Sequence, residues 1–333
     1  MNEFELIARF FSRPPRAASV HLGVGDDAAL VAPTPGCELA VSVDMLVGGR
    51  HFFSDVDPEK LGRKTLAVNL SDMAAMGATP KWALLAGALP DDDAAWLAAF
   101  ARGFYAQADA HGVALVGGDT TRGPRNLCLT IAGEVPTGQA IRRAGALPGD
   151  DVWVSGELGG AMLALAAIDG RTKLGADELA PLQRRLERPE PRVALGIALR
   201  GTASAMLDVS DGLTGDLGHI LDASGAGARV DLERIPCAPA LAARRQGPER
   251  ELALACLLAG GDDYELLFTA RNAARERVAA IAQEVGVPLT RIGKVTPPET
   301  GLVVRAEGGV ALRALPRAFD HFAAPATGQG GQA

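Results

Sequence analysis

The chain has 333 residues, 48% of them hydrophobic, and 33 Lys and Arg against 40 Asp and Glu give a formal net charge of −7. That length exceeds a typical single core and fits two domains, with enough apolar content to bury both. The acidic balance excludes a nucleic-acid surface, which needs concentrated Lys and Arg, and no window reaches the roughly eighteen uninterrupted apolar residues of a membrane span.

The polar start Met1-Asn2-Glu3-Phe4 is not a signal peptide, so a cytoplasmic protein is expected. Residues 38–47 alternate as a strand that puts Leu39, Val41 and Val43 on one face and Ser42 and Asp44 on the other. Val43 can then offer a site only its backbone carbonyl. Asp57 as N-cap and Pro58 at the first helical position open a helix running to about Gly77, with Asp72 in its last turns among Ala and Met. A second helix opens at Asp91-Asp92-Asp93, carries Trp96, Phe100 and Phe104 at i, i+4 and i+8, and ends near Gly112. The apolar strand 113–116 stops at Gly117-Gly118-Asp119, the strand-glycine-acid arrangement with which α/β folds present ligands. Residues 127–135 read as another strand.

Turn residues concentrate between Pro136 and Asp151, which divides the chain into domains 1–138 and 139–324, followed by a disordered tail 325–333. The second half repeats the logic of the first. Strand 203–209 ends in Asp208-Val209-Ser210-Asp211, and a helix follows over 210–224 with Ser210 or Asp211 as a candidate cap. Arg188-Pro189-Glu190-Pro191-Arg192 separates two further helices.

Six acidic turns punctuate this apolar frame: Gly25-Asp26-Asp27, Ser42-Val43-Asp44, Asn69-Leu70-Ser71-Asp72, Gly117-Gly118-Asp119, Asp208-Val209-Ser210-Asp211 and Gly260-Gly261-Asp262-Asp263. Each alone is an ordinary turn or cap residue. Together they place carboxylates where only a cation makes them inexpensive, and Asp72 is the hardest to dismiss. Hard oxygen donors in this number suit Mg²⁺, and an acidic enzyme that handles phosphates must import positive charge as metal. Calcium competes, but Asp55-Val56-Asp57-Pro58 lacks the glycine and terminal glutamate of an EF-hand loop.

Gly23-Val24-Gly25-Asp26-Asp27-Ala28 fits a loose dinucleotide pattern, yet two aspartates stand where backbone amides would meet a pyrophosphate. No P-loop, kinase-type His-Arg-Asp loop or HExxH helix is present. Arg122, Arg142 and Arg143 are either phosphate-binding guanidiniums or solvated surface, and His51 is either a core-edge histidine or a substrate contact. Cys37, Cys128, Cys237 and Cys256 form no CxxC pair and read as small buried hydrophobes in a reducing compartment.

The ordered set Gly-Val-Gly-Asp-Asp-Ala (23–28), Ser-Val-Asp (42–44), Ala-Val-Asn-Leu-Ser-Asp-Met-Ala-Ala-Met-Gly-Ala (67–78), Gly-Gly-Asp-Thr-Thr-Arg-Gly (117–123), Asp-Val-Ser-Asp-Gly-Leu (208–213) and Gly-Gly-Asp-Asp-Tyr-Glu-Leu (260–266) resembles the thiamine-monophosphate kinase family of the aminoimidazole ribonucleotide synthetase superfamily. The resemblance implies ATP-dependent phosphorylation of thiamine monophosphate to thiamine diphosphate. It also implies an α/β (α+β) fold of two domains, the N-terminal mixed sheet binding ATP and Mg²⁺ and closing a barrel across a homodimer, the C-terminal domain α/β. Carried over by motif position, Asp27, Ser42, the Val43 carbonyl, Asp44, Asp72, Asp119, Asp208 and Asp211 would hold several Mg²⁺ ions. Tyr105, Gly118, Asp119, Arg143 and Ser210 would meet ATP, and His51, Asp262 and Phe319 the acceptor substrate.

Two positions depart from the family pattern. Many relatives have Ser-Thr-Asp where Ser42-Val43-Asp44 stands, and often Glu where Asp262 stands, a side chain one methylene longer. Another superfamily member with a different acceptor is the nearest alternative. Selenide-activating and hydrogenase-maturation relatives are disfavoured by a first cysteine at Cys37 and an ending Gly-Gly-Gln-Ala. From a different class, a nonenzymatic Mg²⁺ or nucleotide-binding module would retain the same acidic turns.

Overall fold

Local chemistry sets the two longest helices. In the computed structural model, which describes residues 2–14 and 17–317, the Asp57 carboxylate accepts from the backbone amides of Glu59 and Lys60 and starts a helix over Pro58–Ala75. Asp93 does the same for Ala95 and Trp96, and the helix over Ala94–His111 closes on Gly112 in the left-handed conformation. The expected tail 325–333 lies outside the described residues.

The first half runs α1 (Glu3–Leu6), β1 (Val20–Leu22), β2 (Leu30–Val31), β3 (Cys37–Val47), α2 (Pro58–Ala75), β4 (Thr79–Leu89), α3 (Ala94–His111), β5 (Ala114–Arg122) and β6 (Asn126–Pro136). The second continues with β7 (Asp151–Ser155), α4 (Gly160–Ile168), α5 (Ala176–Glu187), α6 (Val193–Ala198), β8 (Ala203–Asp208), α7 (Leu213–Ser224), β9 (Gly227–Asp231), α8 (Pro239–Arg244), α9 (Arg250–Ala259), β10 (Leu266–Ala270), α10 (Arg275–Val285), β11 (Leu289–Thr296) and β12 (Leu302–Arg305).

Each half carries its own mixed sheet. The first is ordered β3-β6-β4-β5, with β4 and β5 parallel and the other pairs antiparallel. The second is ordered β12-β9-β11-β7-β10-β8, with β12 and β9 parallel. Proline and arginine between 188 and 192 do separate two helices, α5 and α6.

β3 keeps the alternation read from its sequence. Ser42 and Asp44 face inward, whereas Leu39, Val41, Val43 and Met45 form a row 50 to 63% exposed along an edge strand. The row is an exposed apolar stripe on that face of the sheet.

Two expectations are corrected. Strand β5 does not stop at Gly117-Gly118-Asp119: it runs on to Arg122 because Gly118 and Asp119 pair with Leu85 and Ala86 of β4. The approach is so close at Gly118, where φ is +154°, that a Cβ would sit 1.9 Å from the Leu85 carbonyl oxygen. Neither Ser210 nor Asp211 caps the following helix. It begins at Leu213 behind Gly212, and the Asp216 carboxylate takes the free amides of Asp211 and Gly212 at 3.1 and 3.0 Å.

The largest core is shared between the halves. One cluster joins Leu66 and Leu70 of α2, Phe100 and Phe104 of α3 and Ile131 of β6 to Leu195 of α6, Phe268 of β10 and Ile281 of α10. Leu267 on the opposite face of β10 belongs to a second cluster with Val152, Leu207, Leu217 and Cys256. The six-stranded sheet is therefore covered on both faces, one of them by the first half of the chain. Among the described residues no helix is long and apolar enough to cross a membrane.

Candidate active site

α2 lies along the seam between the halves. Lys60 pairs with Glu187 at 2.5 Å, Lys64 with Asp262 at 2.9 Å, and Ser71 with Asp208 at 2.6 Å, so three side chains of one helix reach the second half. Asp72, next to Ser71, accepts the Ser42 hydroxyl of β3 at 2.5 Å. Asp44 stands two residues along β3, and Asp211 three residues beyond Asp208.

These carboxylates act on one another. Burial, and then the charges of Asp72, Asp208 and Asp211, push the Asp44 carboxyl up to about 7. Burial followed by Asp72 raises Asp208 to about 7 against the opposing effect of the Ser71 hydroxyl. Asp72 is raised as well, chiefly by burial, while Ser42 and the positive charge of Arg143 pull the other way. Four acids thus meet at the seam with two hydroxyl donors and one guanidinium among their partners.

Backbone packing fixes the two loops of the second half against each other. The Asp262 amide donates to the Ser210 carbonyl at 3.0 Å and the Tyr264 amide to the Val209 carbonyl at 2.9 Å. A Cβ on Gly261 would stand 2.3 Å from the Ser210 carbonyl oxygen, so that position must stay bare. Asp262 and Tyr264, at φ +67° and +51°, are the described non-glycine residues with positive φ, and such strain gathers at functional sites. Below them Glu265 accepts two bonds from Arg192, at 2.8 and 2.6 Å, and one from Ser155 at 2.5 Å, while Asp263 accepts the Gly159 amide at 2.7 Å. Burial, then Asp262, Asp44 and Asp208, hold the Tyr264 hydroxyl well above the usual tyrosine range.

The structure brings together Asp44, Asp72, Asp208 and Asp211, with Ser42, the charge of Arg143 and the backbone of Ser210 beside them. The Val43 side chain points outward, away from these acids. Asp27 lies exposed between β1 and β2, and Asp119, next to Gly118, lies exposed on β5. Tyr105 sits elsewhere: it donates its hydroxyl to the Phe11 carbonyl at 2.8 Å, under the Arg13 guanidinium at 3.5 Å from the ring centroid. His51 is half-buried, and its Nδ1 accepts the Val47 amide at 2.9 Å. Phe319 lies outside the described residues.

Sequence reasoning missed Lys64, Ser71 and Asp216. Ser71 could have been found inside the Asn-Leu-Ser-Asp turn, and Asp216 as an acid in the first turn of α7. Lys64 carried no such signal, because α2 is buried on almost every side from Lys64 to Ala75.

Among the described residues no three His, Cys, Asp or Glu side chains close into a ready-made metal cage. An all-oxygen set that is mutually repelling yet not closed fits Mg²⁺, which keeps several waters and completes its shell with substrate phosphates. The chain matches the AIR synthase related protein N-terminal domain over residues 25–135 and the C-terminal domain over residues 148–305. It is 44% identical to thiamine-monophosphate kinase of Escherichia coli K12 over 326 residues, 97% of this chain and 99% of that one. The chain belongs to the thiamine-monophosphate kinase family.

The structural likeness has the same extent. The crystal structure of thiamine-monophosphate kinase from Stenotrophomonas maltophilia K279a superposes with a TM-score of 0.83 at 46% identity, covering 92% of this chain and 97% of that one. A structure of AaThiL complexed with AMPPCP and TMP superposes with a TM-score of 0.75 at 28% identity, covering 87% and 89%. These structures share with this chain the two-domain, AIR synthase-like α/β fold.

Proposed function

We propose that this chain transfers the terminal phosphoryl group of ATP to thiamine monophosphate, forming thiamine diphosphate by direct in-line displacement. The observation that carries it is the meeting of Asp44, Asp72, Asp208 and Asp211 at the seam, in a chain of this family. The AaThiL complex with AMPPCP and TMP supports a reaction in which donor and acceptor are bound together.

The acceptor is itself a phosphate monoester whose second ionisation lies near pKa ~6, so it is a nucleophile at neutral pH and no side chain needs to take a proton from it. The obstacle is repulsion between two anions. Mg²⁺, when bound by Asp27, Ser42, the Val43 carbonyl, Asp44, Asp72, Asp119, Asp208 and Asp211, supplies the neutralising charge between them. Ser42 and Ser71 fix one oxygen each of Asp72 and Asp208. Asp216 holds the backbone of the turn that carries Ser210 and Asp211. Arg143 and the backbone at Gly118 and Ser210 bind the ATP phosphates, with Asp119 beside them and Tyr105 the outlying member of that set. His51, Asp262 and Phe319 receive the acceptor.

The same reading assigns residues 1–138 to ATP binding and dimerisation and 139–324 to the α/β domain. A second copy covers the exposed row Leu39, Val41, Val43 and Met45, closing the first sheet into a barrel; Val41→Lys should then yield monomers in sedimentation. A cytoplasmic setting fits four cysteines that are all free.

ADP release, followed with thiamine, thiamine monophosphate and an aminoimidazole ribonucleotide as acceptors, tests the assignment. Turnover with thiamine monophosphate alone is expected. Turnover with another acceptor instead, or Mg²⁺-dependent ATP binding without turnover, would overturn it.

A further inference from the structure

We propose that Lys64 is a positioning residue for the acceptor: from α2 it holds the Asp262 carboxylate across the seam in the orientation that receives the substrate. The inference rests on Asp262 being an acceptor contact. Lys64 is 5% exposed, in the middle of a helix otherwise lined by Leu61, Thr65 and Val68. A buried ammonium persists only where its protons find partners. Its Nζ donates to Asp262 Oδ2 at 2.9 Å and to the Leu186 carbonyl at 3.1 Å.

The seam-crossing pair Lys60–Glu187 is open at both ends, at 28 and 22% side-chain exposure, and Arg192–Glu265, within the second half, is more closed at both, at 19 and 7%. Here the lysine end is closed at 6% and the aspartate end stays open at 32%. With Lys64 as a donor to one oxygen, a carboxylate that accepts about four hydrogen bonds keeps capacity for a donor on the substrate. The left-handed backbone at Asp262 is held by its amide hydrogen bond to the Ser210 carbonyl, and its carboxylate by Lys64. An aspartate carboxylate is joined to its backbone by a single methylene, so it has little freedom to find the substrate by itself, and a fixed cation supplies its orientation. The pair is neutral as a unit, so it offers hydrogen-bond acceptance without adding net negative charge beside the phosphates.

The test uses the full-length enzyme with ATP, Mg²⁺ and thiamine monophosphate, and the variants Lys64→Met, Lys64→Arg, Asp262→Asn and Lys64→Met with Asp262→Asn. Lys64→Met and Asp262→Asn should each raise KM for thiamine monophosphate about tenfold, with kcat, KM for ATP and the Mg²⁺ activation curve within about twofold. The double variant should be no worse than Asp262→Asn alone, because the lysine acts through the aspartate. Lys64→Arg, which keeps the charge but changes the donor geometry, should raise KM by about threefold. Should Lys64→Met fail to fold, Lys64→Arg decides, and an unchanged KM then overturns the proposal. A normal KM in Lys64→Met beside a raised KM in Asp262→Asn overturns it too. A normal KM in Asp262→Asn would instead remove Asp262 from the acceptor site, and the inference with it, while leaving kinase turnover as the separate measure of the overall function.

Discussion

Ser71 of α2 donates its hydroxyl proton to Asp208 of β8 at 2.6 Å, so a single hydrogen bond inside the acidic group joins the first half of the molecule to the second. Ser71 is fully buried, and alanine fits its space. A hydrogen bond to a charged group contributes about 1.5–3 kcal/mol, so Ser71→Ala should raise the Mg²⁺ concentration for half-activation by about tenfold or more. An activity titration with Mg²⁺ reads this directly; an unchanged midpoint would show that Asp208 needs no such anchor.

Asp72 repels Asp44 and Asp208, and that repulsion opposes folding whenever no cation is present. Asp72→Asn should therefore lower turnover by about two orders of magnitude or more while raising the melting temperature of the metal-free protein at pH 8. Differential scanning calorimetry and ADP release on the same sample check both halves. Loss of activity with loss of stability would mean that the residue is structural.

The carboxyls of Asp44, Asp208 and Asp216 are raised from 3.8 to about 7, each mainly by burial. A carboxyl raised by folding binds its proton more tightly in the folded state, so the stability it contributes is full below about 3.8 and lost as pH climbs to about 7. Without metal, the melting temperature should fall by about 5 °C between pH 5.5 and pH 8. Added Mg²⁺ competes with those protons and should raise it more at pH 8 than at pH 6. An equal or larger Mg²⁺ effect at pH 6 would contradict the assignment.

Asp216 is 4% exposed and spends its carboxylate on the amides of Asp211 and Gly212. Asp216→Asn retains an acceptor oxygen for those amides, and Asp216→Ala does not. The alanine variant should lose at least about tenfold in kcat/KM for ATP and about 1–3 kcal/mol of stability, with asparagine recovering most of both. Urea unfolding alongside steady-state kinetics distinguishes this from a residue of no consequence.

Helix starts were legible because a cap is local chemistry: Asp57 with Pro58, and Asp93, act on amides two or three residues away. The inward face of β3 was legible for the same reason, since alternation needs no partner. The continuation of β5 through Gly118 was not, because it depends on β4, some thirty residues earlier. Likewise the acids could be read as an ordered set, but their convergence needed the fold: Asp44, Asp72 and Asp208 come from a strand, a helix and a strand of the other half. Lys64 stayed hidden because a helix buried all round shows no polar stripe to mark which side meets what.

The three contacts of α2 with the second half have a spacing with its own meaning. Lys60, Lys64 and Ser71 advance along one side of the helix, and seven residues at 1.5 Å each set Lys64 about 10 Å from Ser71 along the axis. In the proposed reaction the helix is a rigid ruler between the Lys64–Asp262 pair, where we place the acceptor, and the acids around Ser71, where we place the phosphates. Its length would then set how long an acceptor must be to reach from one to the other. Inserting one residue between 64 and 71 would turn the two marks by about 100° and leave each half of the reaction intact but out of register with the other.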